Sequence, residues 1–491
     1  MTQVSPESLR STVLPQVSSW VAGSWRTTSQ THVHHDPARP GVAVAEVHHA
    51  EPAIAVEARR AAREAFGRWR RTEPRARAAV LERVAALLEE RADEVGEAVV
   101  REEGKTLPEA IGEARRAAEI LRYFAGQVAY EPDGSTFAAQ GEGNLLYARR
   151  VPIGVVAAIT PWNFPLAIPA WKIAPALGFG NVVIWKPADL VPVSSRMLFQ
   201  TFLDAGLPDG VLQLLVGRGS VIGPELVGVS EVDALTFTGS TGVGQQLVRN
   251  AAAVGQRCQM ELGGKNAAVV LADADLDRAA EMITRGAFLS SGQKCTATSR
   301  VIVEDAVYDR FVERLVAGAD SLTVGDPLAP GTDIGPLSSD TAADEVRAIV
   351  RRGEQEGRRA TSRRPDDVPA GAFVAPTVFC DLPADSTLIS DEIFGPVAVV
   401  LRAADAADAL RLANESAFGL TAGVYTSSLA HALDFADGLE VGMVKINQET
   451  PGNAVHVPFG GRRDSSFGPG EQGKAAAEFF TEWKTVYMDR G

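Results

Sequence analysis

The sequence predicts an α/β protein with a doubly wound parallel sheet, on three observations. The chain has 491 residues, more than the roughly 250–300 at which one hydrophobic core stops growing, so two or more domains are expected. Short apolar runs at Val155–Ile159, Val182–Trp185, Gln213–Val216 and Ala234–Phe237 are each followed by Gly, Pro or Ser and then a helical pattern. Runs apolar throughout describe strands buried on both faces, as in a parallel sheet.

Ahead of these strands, Pro52 to Val128 is rich in Ala, Glu and Arg, and Val80, Leu81, Val84, Leu87 and Leu88 mark one helical stripe. Two or three helices broken near Pro74 and Gly104 are expected. Residues 129–150 are turn-rich and then strand-like after Asn144, an excursion from the domain. A second series of strands follows Glu261, in "NAAVVLADADLD", "SRVIVED" and "AGVYTSS", and 353–370 reads as a polar surface loop.

Composition narrows the function. Apolar residues make up 45% and charged residues 22%, as in soluble globular proteins. A net charge of −14 argues against nucleic acid and anionic membranes as partners, since both reward clustered Lys and Arg. Three cysteines are too few for a disulfide framework and lack zinc-site spacing, which suits a reducing, cytoplasmic setting. No basic and apolar leader opens the chain, and no run of 18 apolar residues occurs, so neither an export signal nor a membrane span is expected.

Five short stretches carry chemistry. "SSGQKCTATSR" sets Cys295 among small polar residues; it is either a nucleophile or a compact core residue. "ALTFTGSTGVGQQLV" is a strand, a glycine-rich turn and a helix start, able to hold phosphate on backbone amides, although Gly239, Gly242 and Gly244 do not match G-x-G-x-x-G; a structural turn is the alternative. In "TPWNFPLAIPAWK", Pro161 and Pro165 stiffen the chain around Asn163, whose amide could stabilise an oxyanion or simply close a turn. "QMELGGKNA" sets Glu261 before a glycine pair at the start of a strand, where desolvation would raise its pKa into the range of a general base. Lys186 and Asp189, at the end of a buried strand, suit ribose hydroxyls or form a solvated pair. The seven histidines offer no partner motif for Cys295, and the "HVHHD" cluster is expected to be exposed, with no metal site.

Taken in order, "PWNFPL", "WKPAD", "FTGSTGVG", "ELGGK", "GQKCTATSR", "EIFGPV" and "PFGG" resemble the aldehyde dehydrogenase superfamily over nearly the whole length. The step of 34 positions from Glu261 to Cys295 is the spacing that family shows. The resemblance implies that Cys295 attacks an aldehyde, that Asn163 and the backbone N–H of Cys295 hold the oxyanion, that Glu261 activates the hydrolytic water, and that Glu471 relays its proton. It implies that Thr160, Pro161, Trp162, Lys186, Asp189, Gly239, Ser240, Gly244, Leu262, Glu392 and Phe394 hold NAD, with NADP open because Asp189 stands where NAD-preferring members usually carry Glu. Phe164, Ile168, Trp171, Lys294, Thr296 and Phe459 would line the substrate pocket, where Lys294 and His456 could meet a distal carboxylate; Lys294 turned to solvent is the alternative.

The same resemblance implies an aldehyde dehydrogenase fold: a Rossmann-like cofactor domain of 1–128 and 151–258, a catalytic domain of 259–460, and a β-arm of 129–150 with 461–491 that needs a second subunit, hence a homodimer or homotetramer. "GQKCTATSR", "HVPFGGR" and Asp464-Ser465-Ser466 resemble most the 2-oxoglutarate semialdehyde (2,5-dioxopentanoate) dehydrogenase branch. An aromatic or aliphatic aldehyde as substrate, a CoA-acylating relative, which Glu261 argues against, and a catalytically silent dinucleotide-binding protein remain as alternatives.

Overall fold

The structure, a computed structural model, describes residues 14–130, 134–138, 144–364 and 367–489. Parts of the 129–150 excursion and the first residues of the chain lie outside them. The expected helical stretch holds four helices, α1 (Pro52–Trp69), α2 (Pro74–Glu90), α3 (Ala92–Glu103) and α4 (Leu107–Tyr130). The extra break falls at Arg91, which ends one helix and begins the next at φ −95° and ψ 10°; no Gly or Pro marks it.

An eight-stranded sheet forms one half of the molecule. Its five central strands are parallel, in the spatial order Arg257–Glu261, Ala234–Thr238, Val155–Ile159, Val182–Lys186, Leu212–Leu214. Helices α5 (Ala167–Gly178), α6 (Pro192–Asp204), α7 (Gly219–Ile222) and α8 (Thr241–Ala252) intervene along the chain. Strand order reverses between Val155–Ile159 and Ala234–Thr238, and ligands of open α/β sheets bind beyond the carboxyl ends at such a point. Those ends are where Thr160 to Asn163 and Gly239 to Ser240 begin.

The second sheet has seven strands and runs Arg358–Arg359, Thr377–Cys380, Val397–Ala403, Thr298–Glu304, Asn266–Val270, Thr421–Tyr425, Met443–Ile446. All neighbours are parallel except the first pair. Ala268 and Val270 feed one core, and Ala267 and Val269 another, which is why this strand reads as apolar without alternation. A third sheet pairs Leu145–Pro152 antiparallel with both Gly134–Phe137 and Thr481–Met488.

Several expectations are corrected. Glu261 ends its strand; the next one starts at Asn266, beyond the glycine pair. The third apolar run, Gln213–Val216, is a strand only over Leu212–Leu214. Segment 353–370 begins inside the helix Asp340–Glu356, and Arg358–Arg359 adds an edge strand, because Gly353 packs against the Phe379 ring. The histidine cluster is not exposed throughout. It lies on the strand Thr31–Asp36, where alternation buries His34, whose Nε2 bonds the Glu102 carbonyl at 3.1 Å. His32 shares a hydrogen bond with His49.

Glu102 also ties α3 to α6, which has no side-chain cap of its own. The buried carboxylate accepts the N–H of Val193 and that of Ser194, the latter at 2.8 Å. Burial pushes its pKa from 4.5 up to about 7 against those bonds. The native state therefore keeps a proton that the unfolded chain releases, and stability falls as pH rises through that window. Glu102→Ala, leaving buried amides unpaired, should lower stability by about 1–3 kcal/mol, read as a lower thermal unfolding midpoint. Glu102→Gln should lose less and flatten the fall in midpoint between pH 4.5 and about 7.

Candidate active site

Cys295 follows a backbone that few sequences adopt. Ser290, Ser291 and Gly292 are left-handed in succession, with φ of 54°, 55° and 67°. For non-glycine residues that conformation costs on the order of 1–3 kcal/mol each and persists only where surroundings impose it. Here Ser290 Oγ donates to Glu109 Oε1 at 2.8 Å and Ser291 Oγ to the Gly335 carbonyl at 2.9 Å. At position 292 a Cβ would stand 2.2 Å from the Gly395 oxygen, so only glycine fits. The turn delivers Cys295, half-buried, to the junction of two cavities of about 230 and 450 Å³, both of which it lines.

The smaller cavity lies at the switch point and is lined by Pro161, Trp162, Asn163, Gly239, Ser240, Leu262, Glu392 and Phe394, among others. Asn163 is buried and donates Nδ2–H to the Gln293 carbonyl at 2.9 Å, two residues from Cys295. Trp162 and the left-handed Phe394 meet edge to face at 5.6 Å. Thr160 stands one step back, its hydroxyl accepting the Trp185 indole N–H at 2.9 Å. Lys186 and Asp189 form an ion pair of 2.9 Å outside this lining.

The donor set fits a dinucleotide. Helix α8 opens at Ser240 with no side-chain cap, leaving amides and a positive helix end for phosphate. Gly244 lets the helix approach Leu262, since a Cβ there would fall 2.3 Å from Leu262 Cδ2. Thr238 Oγ1, in the same cavity, is buried with no hydrogen-bond partner among the described residues. Glu392 accepts the Gly264 N–H at 2.9 Å and borders the cavity with its carboxylate.

The larger cavity collects every residue expected at the substrate pocket: Phe164, Ile168, Trp171, Lys294, Thr296 and Phe459. Trp171 and Phe459 face each other at 5.5 Å, tilted by 32°. Lys294 is half-buried and lines the wall, so the solvent-facing alternative is not taken; burial lowers its pKa. Its ammonium has no hydrogen bond or ion pair among the described residues; its backbone carbonyl accepts the Ala297 N–H at 3.0 Å. His456 is exposed and absent from the lining. Lys105, Glu109, Glu113 and Arg116 are cavity residues that sequence reasoning missed, as they lie on or beside α4, far from any motif.

Behind Cys295, Glu261 is 3% exposed and accepts the Ser466 hydroxyl at 2.8 Å. Desolvation and the neighbouring Glu471 carboxylate raise its pKa well above the ordinary value, against the Ser466 bond and Lys172. Gly460 leaves room for the carboxylate, its would-be Cβ lying 3.3 Å from Glu261 Oε1. Glu471 is buried, paired with Lys172, and keeps Oε2 unpartnered among the described residues. Lys172 also donates to Thr236 Oγ1 at 2.9 Å. Ser466 was legible only as a departure from the family's usual run.

Burial, then the carboxylates of Glu392, Glu261 and Glu471, push the Cys295 thiol up. Since the thiolate is the nucleophile, alkylation of Cys295 by iodoacetamide, followed by peptide mass spectrometry without added dinucleotide, should keep rising to at least about pH 9. Glu392→Gln should speed it; a plateau below neutral pH would contradict this account.

Comparison with known proteins places the chain in a family. The model of the family described as "Aldehyde dehydrogenase family" matches residues 25–486. Alpha-ketoglutaric semialdehyde dehydrogenase of Bacillus subtilis (strain 168) is 41% identical over 432 residues, 87% of this chain and 88% of that protein. Alpha-ketoglutarate semialdehyde dehydrogenase of Haloferax volcanii is 41% identical over 478 residues, covering 96% and 98%. The crystal structure of betaine aldehyde dehydrogenase from Staphylococcus aureus in complex with NAD+ superposes with a TM-score of 0.92 at 28% identity, over 96% of this chain and 94% of that one. With a family match running almost from end to end, the chain belongs to the aldehyde dehydrogenase family.

Proposed function

We propose that the protein is an NAD-dependent, non-acylating aldehyde dehydrogenase acting on 2-oxoglutarate semialdehyde, with NADP as a possible second cofactor. The observation that carries this reading is the position of Cys295 between two cavities, one with an uncapped helix start and one with aromatic walls and an unpaired cation. A nucleophile so placed can hold a substrate carbon against a second bound molecule.

In this reading the thiolate of Cys295 attacks the aldehyde carbon to give a thiohemiacetal. The developing oxyanion takes hydrogen bonds from the Asn163 amide and the Cys295 N–H. The dinucleotide, when bound, supplies the hydride acceptor that converts the thiohemiacetal to a thioester. Glu261, deprotonated, takes a proton from the water that cleaves the thioester, and the carboxylic acid leaves. Glu471 passes that proton onward. Gly239, Ser240, Gly244 and the α8 amides would hold the pyrophosphate, with Thr160, Pro161, Trp162 and Leu262 as walls. Lys186 and Glu392 would hold the riboses, Phe394 would pack beside the nicotinamide ribose, and the Asp189 carboxylate would repel a 2′-phosphate and so favour NAD.

The semialdehyde assignment is supported by the unpaired Lys294 in the cavity wall and by the names of the two relatives at 41% identity. A substrate with a carboxylate at its far end would neutralise that ammonium; a purely apolar aldehyde would cover it and leave it unpaired. No helix among the described residues is long and apolar enough to cross a membrane, and a cytoplasmic setting is proposed. The arm leaves Phe137, Trp483 and Tyr487 between 51% and 78% exposed, which supports a homodimer or homotetramer that covers them.

An aldehyde panel read by absorbance of the reduced nicotinamide tests the activity, and no signal with any aldehyde would sink it. Lys294→Met should raise KM for 2-oxoglutarate semialdehyde about 10- to 100-fold, the worth of a charged hydrogen bond, and change KM for a neutral aldehyde of equal length far less. Equal changes would refute the carboxylate-reading role. Glu261→Gln should keep the first-turnover burst of reduced cofactor while steady turnover slows. Because Glu261 acts deprotonated and its pKa is raised, the wild-type steady rate should fall with acidification through that raised pKa, a limb that Glu261→Gln lacks.

A further inference from the structure

The loop that carries Asn163 ends at α5, whose N-terminus has no side-chain cap of its own. Its first amides are satisfied from another element: the N–H groups of Leu166 and Ala167 donate to Glu113 Oε1 of α4 at 2.8 and 3.0 Å. The other oxygen, Glu113 Oε2, receives Lys105 Nζ at 2.7 Å, and the same ammonium donates to the Asn163 backbone carbonyl at 2.7 Å. It also stands 4.2 Å from the centroid of the Phe164 ring. Lys105 and Glu113 are both buried, so their pairing is weakly screened and geometrically exacting. Lys105 leaves the α3–α4 turn directly after Gly104, which is left-handed at φ 89° and lies under Pro336, where a Cβ would be 2.6 Å from the ring.

We propose that the Lys105–Glu113 pair is a positioning clamp for the Asn163 amide, fixing both ends of the 163–167 turn to α4 so that the oxyanion donor meets the carbonyl oxygen above Cys295. The pair touches neither reacting atom and acts through Asn163. The proposal rests on the reading of Asn163 as oxyanion donor, and the test separates the two.

Burst rates would be measured for Lys105→Met and Glu113→Gln in the wild-type and Asn163→Ala backgrounds, with dinucleotide affinity followed by fluorescence titration. A donor displaced by about 1 Å costs on the order of 10²-fold, so each substitution should slow the wild-type burst about 10- to 100-fold while dinucleotide affinity holds. In the Asn163→Ala background the same substitutions should change the burst by no more than about twofold, since coupled groups do not add. Lys105→Arg, which keeps the charge, should recover part of the loss. Glu113→Gln is isosteric and keeps an acceptor for the α5 amides, so it carries the cycle even if Lys105→Met fails to fold. Losses that multiply with that of Asn163→Ala would overturn the clamp and leave the donor reading intact. An Asn163→Ala burst as fast as wild type would overturn the donor reading itself.

Discussion

Cys295 must face two cavities at once, and most of the architecture around it follows from that constraint. A sulfur on one regular element would face one neighbour; the left-handed run Ser290–Gly292 turns it to the seam between the two sheets instead. The carboxyl ends of the eight-stranded sheet supply Asn163, Gly239 and Glu261, while the turn entering the seven-stranded sheet supplies the thiol. The close passes needed to bring these ends together fall where side chains are absent. Gly292 lies against Gly395, Gly263 against Glu392, Gly460 beside Glu261 and Gly244 against Leu262. Each is part of a motif because a Cβ would occupy space already filled.

The first amides of a helix need partners from outside it, and a side-chain cap is the usual one. Helices α5, α6 and α8 all start without one. Two receive a carboxylate from the helical layer, Glu113 for α5 and Glu102 for α6. The α8 start alone is open, and it borders the smaller cavity. An unpaired helix start is costly when buried and useful when an anion is to bind there. The distribution of these carboxylates thus leaves unpaired the one helix start of the three that is proposed above to hold a phosphate.

The parallel strands of both sheets were legible because burial on two faces leaves runs apolar without alternation, and Cys295, Asn163 and Glu261 were legible because ordered motifs surround them. The break at Arg91, the edge strand Arg358–Arg359 and the burial of His34 were not. Each depends on a tertiary neighbour: the layer packed against α2 and α3, the strand Thr377–Cys380, and the Glu102 carbonyl. Lys105 and Glu113 were invisible for the same reason. On α4 a charged residue reads as solvated surface until the turn after Asn163 is seen to use it as a cap. Lys294 was ambiguous in sequence because a long flexible cation can face either way; only the cavity shows which way it turned.

The electrostatics of the site keep its nucleophile idle until something arrives. Three carboxylates, Glu392, Glu261 and Glu471, raise the thiol pKa beyond what burial does, which should leave the cysteine protonated and slow to alkylate or oxidise in the ligand-free protein. Lys172 and Lys186 are each spent on a carboxylate of their own, Glu471 and Asp189. A positive charge entering the smaller cavity, where Glu392 lies, would lower the Cys295 pKa. The same field acts on Glu261, where burial and then the Glu471 charge raise the pKa, as the proposed hydrolytic step asks of its base. In the mechanism proposed above, one cluster of carboxylates would thus hold back the nucleophile of the first step while preparing the base of the second, and a bound cation would lower the thiol pKa first.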